Sequence, residues 1–424
     1  MKDNQHLNHL VLLLIACLLI ACLLIAAHQT LAQEWTRFRG PNGTGIGHAP
    51  GLPLEWTLKD CLWRVELPGV GHSSPVIWGD RLYVTSAVEK DGLRIISCLH
   101  TADGRTLWRR EFPMPTHSKS PNNSYASATP ALDADRVYLT WATPEQYLAL
   151  ALKHSDGSEV WRRDLGPFDG EHGYGASPIV VDGLVVLTNE QNGPSSIVAL
   201  DAATGAERWK TPRRSEKAAY STPCLFEMPG SPPQLIVTSW AHGVSGLDPQ
   251  TGRPLWELPV FTYRAVGSPL IAEGMVFAGC GGGGTGKPFV AVRPGDPARG
   301  AKAEVVYDVP KPVPYVPTPV AKDGLVFLFG DQGVMKCIDA ATGAERWQKR
   351  VGGNYFGSPV RVDDRLYCIS RDGELVVLAA ADKYELLARI NLEERSSSTP
   401  AVAGGVMYLR TVSHVMAVGP QPKR

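Results

Sequence analysis

Six tyrosines stand three to six residues ahead of the Pro of a Ser-Pro or Thr-Pro pair in this 424-residue sequence: Tyr125, Tyr174, Tyr220, Tyr263, Tyr315 and Tyr355. His72 and Arg395 take the corresponding places ahead of two further pairs. Amphipathic aromatics that converge on one pocket can stack on a planar ligand or an extended peptide while their hydroxyls hydrogen-bond it. The plain alternative is packing between neighbouring elements, because the offsets vary and only some of these side chains can point inward.

Other chemistry-bearing residues are less suggestive. Gly281-Gly-Gly-Gly-Thr-Gly286-Lys287-Pro288 nearly spells a phosphate-binding loop. Pro288 stands where a magnesium-binding Ser or Thr would be, and no helical period follows, so a turn is expected. Asn189-Glu190 could donate oxygens to a hard cation, but two residues are a weak match and a solvated loop is the expected setting. The histidines outside the N-terminal run, among them His117, His154, His172 and His242, show no paired metal-ligand spacing. There is no Gly-x-Ser-x-Gly elbow and no strand-to-helix context for a hydrolase. No catalytic residue and no metal ligand is assigned.

Lys plus Arg and Asp plus Glu each number 42, so no net field draws the molecule to nucleic acid or an anionic membrane. Near the start, Leu10 to Ala27 is an almost unbroken apolar run with Lys2 before it, and Thr30-Leu31-Ala32 offers small residues ahead of Gln33. That predicts an export signal over 1–32, with a lipid-bearing Cys at the boxes ending in Cys17 or Cys22, or a retained helix, as the alternatives. All three place the body outside the cytoplasm. Cys61, Cys98, Cys224, Cys280, Cys337 and Cys368 are spread singly through apolar runs, which reads as small buried hydrophobes rather than a zinc site, although export would permit disulfides.

The elements that must position these residues come from a repeat. The Ser/Thr-Pro pair recurs eight times, at Pro75, Pro130, Pro178, Pro223, Pro269, Pro319, Pro359 and Pro400. After each come a short apolar run, a tight turn (Asp-Gly in Ile179-Val-Val-Asp-Gly-Leu-Val-Val-Leu187), a second run, and a third that ends in a turn before an aromatic-bearing fourth. Asp-Gly between apolar runs is a strong hairpin signal. Each unit therefore predicts four antiparallel strands. The fourth-strand aromatics are Trp108, Trp161, Trp209, Trp256, Tyr307 and Trp347, and they are expected to pack between units. The eighth unit stops after its third strand at His414-Val-Met-Ala-Val418, and an orphan strand around Trp63 stands before the first unit. The prediction is an all-β, eight-bladed propeller over 61–419, its ring closed by that orphan strand, with a turn-rich cap segment over 33–60.

The phrase from Ala199 to Trp209, Ala-Leu-Asp-Ala-Ala-Thr-Gly-Ala-Glu-Arg-Trp, returns in part from Cys337 to Trp347. It resembles the pyrroloquinoline quinone-like (PQQ-like) repeat, over about Cys61 to Val418. The resemblance implies one of two roles. The first is a binding or scaffold propeller without catalysis or cofactor, which holds a protein, peptide or envelope component through its blade-edge loops. The second is a PQQ- and calcium-dependent dehydrogenase of alcohols or aldoses. Dehydrogenases of the family hold the quinone against a ring formed by adjacent cysteines. This sequence has no adjacent Cys pair, and no residue matches the family's Asp base or calcium shell, so the binding role is the leading expectation.

Overall fold

The computed structural model describes residues 34–420. The apolar N-terminal run and its cleavage site lie outside the described residues. Among those described, the chain forms eight successive sheets of antiparallel strands, broken only by single 3-10 turns. The third blade shows the local logic. Its innermost strand Ile179–Val181 pairs with Leu184–Asn189, which pairs with Ser195–Asp201 and then with the outermost Glu207–Arg213. Asp182 and Gly183 turn the first corner with φ 46° and 76°, the two left-handed positions that a tight turn matched to strand twist requires.

Closure is as expected. Trp63–Glu66 pairs antiparallel with His414–Val418, from Trp63 opposite Ala417 to Glu66 opposite His414, and supplies the outermost strand of the eighth blade. His414–Val418 would otherwise be the blade's edge, and the pairing joins the two ends of the ring in one sheet. One addition was not foreseen: Ile46–Gly47 pairs parallel with Val360–Val362, the innermost strand of the seventh blade.

The outer aromatics join neighbouring blades through one recurring contact. The Trp161 indole N–H donates to the Ala202 carbonyl of the next blade at 2.9 Å, and Trp63, Trp108, Trp209 and Trp347 do the same to Thr101, His154, Pro249 and Ala381. The Tyr307 hydroxyl does so to Ala340. The ring also covers the glycine of the Thr-Gly turn: a Cβ at Gly205, whose φ is 69°, would lie 2.6 Å from the Trp161 ring. The repeated Asp-x-x-Thr-Gly-x-x-x-Trp phrase is thus a turn that only glycine can make under a neighbour's indole. Trp256 differs: its N–H goes to Gln234 of its own blade at 2.5 Å, and Gln234 passes the link to the Gly295 carbonyl at 2.8 Å. There the fifth blade has a 3-10 turn, Pro297–Arg299, in place of Thr-Gly.

The core lies between blades in clusters of interdigitating strand residues, such as Leu184, Val186 and Ile197 against Leu235 and Val237. The six cysteines among the described residues are free; five are buried and Cys61 is partly exposed.

Candidate functional site

The eight Ser/Thr residues of the Ser/Thr-Pro pairs form a belt around the central channel. In seven of the eight successive pairs, the backbone N–H of one belt residue donates to the side-chain hydroxyl of the next blade's. The series runs from Ser74 to Thr129 at 2.9 Å round to Thr399 back to Ser74 at 3.2 Å. A hydroxyl carries one donor and two acceptor positions. Accepting from the neighbouring blade fixes its place and leaves its O–H for the channel. The repeat therefore serves two purposes: Pro starts each inner strand, and the residue before it locks adjacent blades together.

Below the belt, the segment after Trp35 crosses the channel. The Thr36 carbonyl accepts from Leu132 N at 2.7 Å. Arg37 donates to the Pro223 carbonyl, and the Asn42 amide makes a reciprocal pair with the Leu225 backbone at 2.8 and 2.7 Å. Arg39, fully buried, donates to five carbonyls: Gly43, Thr44, Thr318, Pro319 and Pro359. With no carboxylate at hydrogen-bond distance, burial pulls its pKa down to about 9. Phe38, between the two arginines, faces the other way and forms part of the chamber lining. The expectation of a cap near the closure is refined accordingly: this segment is a plug, and it turns the channel into a chamber open at one mouth.

That chamber has a volume of about 740 Å³. All eight belt residues line it, and Tyr220, Tyr263, Tyr315, Trp240 and Phe356 add aromatic faces. The lengthened connection before the second blade contributes Ser120, Asn122 and Asn123. His72, His172, Lys217 and Arg264 also line it, whereas no Asp or Glu among the described residues does. His72 is held down to about 4, by burial first and then by Arg410, Lys119, Arg371 and Arg395 nearby, so it is neutral at pH 7.

The structure divides the seven residues proposed for the mouth. His72, Tyr220, Tyr263 and Tyr315 are on the wall. The other three are engaged elsewhere. Tyr125 lies under the Arg94 guanidinium, 3.8 Å from Cζ, and bonds the His117 backbone. Tyr174 is buried and shares a 2.7 Å hydroxyl bond with Tyr147 between the second and third blades. Tyr355 is fully buried in the core of the sixth and seventh blades. The offset before the Pro does not decide the split, since Tyr174, Tyr315 and Tyr355 all stand four places ahead of it; the course of each connection does.

Asn189 and Glu190 are a correction. They are not in a solvated loop but 5% and 1% exposed at the end of a buried strand. Glu190 accepts from Arg213 Nε at 2.7 Å, in a pair whose side chains are 1% and 2% exposed. Consecutive strand residues face opposite ways, so the two do not form one ligand set. The glycine-rich stretch is a turn, as expected: Gly283 and Gly284, with φ 61° and 73°, join Met275–Gly282 to Thr285–Arg293, and Gly281 to Gly284 edge the chamber. What sequence reasoning missed was the floor. Arg37 and Arg39 stand close to Glu34 in sequence, but that carboxylate accepts from Gly79 N instead, so residue type gave no signal that backbone carbonyls receive the two guanidiniums.

A family model described as outer membrane protein assembly factor BamB matches residues 94–302 and 310–421. The chain belongs to this PQQ-like repeat family. BamB-type propellers are also among its structural neighbours: BamB from Moraxella catarrhalis aligns at a TM-score of 0.61 and 14% identity, over 85% of this chain and 99% of that one. Quinohemoprotein alcohol dehydrogenase from Comamonas testosteroni aligns at 0.66 and 14% identity, over 92% and 81%. At such identity these likenesses show the shared propeller fold. Among curated proteins, quinohemoprotein alcohol dehydrogenase ADH IIB of Pseudomonas putida is 28% identical over 179 residues, 38% of this chain. The match spans 24% of that relative's length. The fold is therefore common to an assembly factor and to dehydrogenases, and the distinction between them rests on the site.

Proposed function

We propose that this PQQ-like repeat protein is an extracytoplasmic binding module that takes its ligand or partner at the open mouth, without catalysis. The observation that carries the reading is the composition of the chamber. It is an aromatic-edged space walled by a belt of hydroxyls and bordered by cations, and among the described residues no carboxylate lines it. General-base chemistry on an alcohol needs a group that can accept a proton at neutral pH. His72 is neutral and lies on the wall, but it is hemmed in by four cations that oppose its protonation.

The fit to a quinone with calcium is partial. Aromatic faces and cations suit an anionic planar quinone, which on binding would supply a two-electron acceptor. Calcium requires several oxygen ligands, carboxylates prominent among them. The acids near the chamber are off its wall and have partners of their own: Glu190 Oε1 takes Arg213, with Oε2 buried and unpartnered, Glu171 takes Arg264, and Asp331 takes the backbone N–H groups of Tyr315 and Val316 at 2.6 and 3.1 Å. The calcium half of the group does not fit these residues. The dehydrogenase reading retains one specific support, the stretch of identity to ADH IIB and to the 1-butanol dehydrogenase (cytochrome c) of Thauera butanivorans, 29% over 163 residues.

Rim loops that are irregular and rise above the belt, among them 117–124, 169–175 and 214–220, offer the contact surface for a protein, peptide or envelope component. Extracytoplasmic placement is supported by the apolar run with its small-residue site and by the outer-membrane role in the family's description. The test is a dye-linked assay of the mature protein with primary alcohols and aldoses, supplied with PQQ and calcium. No turnover is expected. Turnover that depends on both additions would overturn the reading.

A further inference from the structure

The chamber's hydrogen-bonding inventory is one-sided. The belt hydroxyls spend an acceptor position on the neighbouring blade and keep their O–H groups. Lys217 and Arg264 stand on the wall at the third-to-fifth-blade side. Glu171 pairs with one Arg264 nitrogen and lies 4.0 Å from Lys217 Nζ, so the two cations together exceed their one acid; Arg264 is 9% exposed. Across the mouth, Arg371 lies 4.3 Å above the Phe356 ring and donates to Asn122 at 2.8 Å, its Nε buried and unpartnered. Arg410, fully buried, has two unpartnered nitrogens behind His72. Donors and positive charge thus border the chamber from both sides, and no Asp or Glu among the described residues lines it. Positive charge on and behind the wall favours an oxyanion in this space, which takes charge-assisted bonds from the donors that line it.

We infer that the chamber is a metal-independent site for a small organic oxyanion, a ligand whose carboxylate or phosphate groups meet Arg264 and Lys217 and whose remaining oxygens accept from the hydroxyl belt. The inference rests on the reading of the chamber as a binding site, and goes beyond it in naming the ligand class. A space of about 740 Å³ is large enough for a molecule rather than a lone ion. Because the attraction is electrostatic at a wide mouth, it weakens with salt. Because the charges are the protein's own, calcium adds nothing.

The experiment is calorimetric titration of the mature protein with citrate and inorganic pyrophosphate, and with trimethyl citrate as an uncharged counterpart, each in calcium and in chelator. Saturable binding of one or both anions is expected, about tenfold weaker for trimethyl citrate, about fivefold weaker in Lys217→Gln, and the same with calcium or chelator. Lys217 has a half-exposed side chain, so that variant folds; Arg264→Gln, checked by its melting curve, is expected to weaken binding further. In parallel, the His72 imidazole is followed by NMR, and its titration is expected to move to higher pH when the anion is bound. Equal affinity for trimethyl citrate, binding that requires calcium, a His72 titration unmoved at saturation, or no binding at millimolar anion would each overturn the inference. The last of these would leave the absence of dehydrogenase turnover, and so the binding-module reading, untouched.

Discussion

Arg39 Nη1 lies 2.7 Å from the carbonyl oxygen of Pro359, 320 residues further along the chain. The same guanidinium serves the carbonyls of Thr318 and Pro319 on the sixth blade. One side chain therefore ties the plug to the inner strands of two blades and closes the channel beneath Phe38. Replacing Arg39 with Met leaves buried carbonyls without donors, each costing about 1–3 kcal/mol, so a loss on the order of 3 kcal/mol or more is predicted from urea unfolding. Lys, a point charge without the planar fork, is predicted not to rescue it. A loss under about 1 kcal/mol would show that the plug does not depend on this residue.

The blade-to-blade indoles make a second prediction. Trp209→Ala removes a buried ring and its bond to Pro249, and should cost about 3–5 kcal/mol. Gly252→Ala, at φ 71° under that ring, should destabilise in the same direction though the new side chain is only a methyl. Thermal melts of the two single variants and the double variant check this. If the steric account is right, the double variant falls short of the sum, because the indole that obstructs the methyl is gone.

Asp331 provides a pH signature. Burial raises its pKa to about 6, against the opposing pull of the backbone N–H groups of Tyr315 and Val316. A carboxyl whose folded pKa is raised stabilises the fold fully below its unfolded pKa of about 3.9, and that contribution is lost as pH rises through about 6. Two units correspond to roughly 2–3 kcal/mol. Urea midpoints measured from pH 4 to 7 should therefore carry a declining component that is absent in Asp331→Asn. Parallel curves for the two proteins would place the titration elsewhere.

The tyrosines separate binding from stability. Tyr220→Ala and Tyr315→Ala, on the chamber wall, should weaken any ligand held there. Tyr174→Phe removes a hydroxyl bonded to Tyr147 and Thr140 at 2.7 and 3.1 Å, and should lower stability by about 1 kcal/mol without changing affinity. Affinity lost in the Tyr174 variant and kept in the Tyr220 variant would reverse the assignment.

The ring was legible because its signals are local and repeated. The Ser/Thr-Pro pair, the tight first corner and the Thr-Gly-x-x-x-Trp phrase each act through a contact that recurs at a fixed place in most blades, so several weak signals added up. The orphan strand at Trp63 could be placed by counting strands. The chamber was less legible, because spacing to the Pro does not fix which way an irregular connection turns its side chains: Tyr315 and Tyr355 share the same spacing of four, yet one lines the wall and the other is in the core. The plug was not legible at all. Its partners are backbone carbonyls hundreds of residues away, which leave no mark on residue type, and Glu190 likewise looked solvated because its partner Arg213 is a strand away.

The central claim, that the site binds without the metal-assisted quinone chemistry of dehydrogenases, is tested most directly by calorimetric titration of the mature protein with PQQ in the presence and absence of calcium. The account predicts traces that coincide, whether flat or showing the weak heat of an organic anion. Saturable binding that appears only with calcium would contradict it.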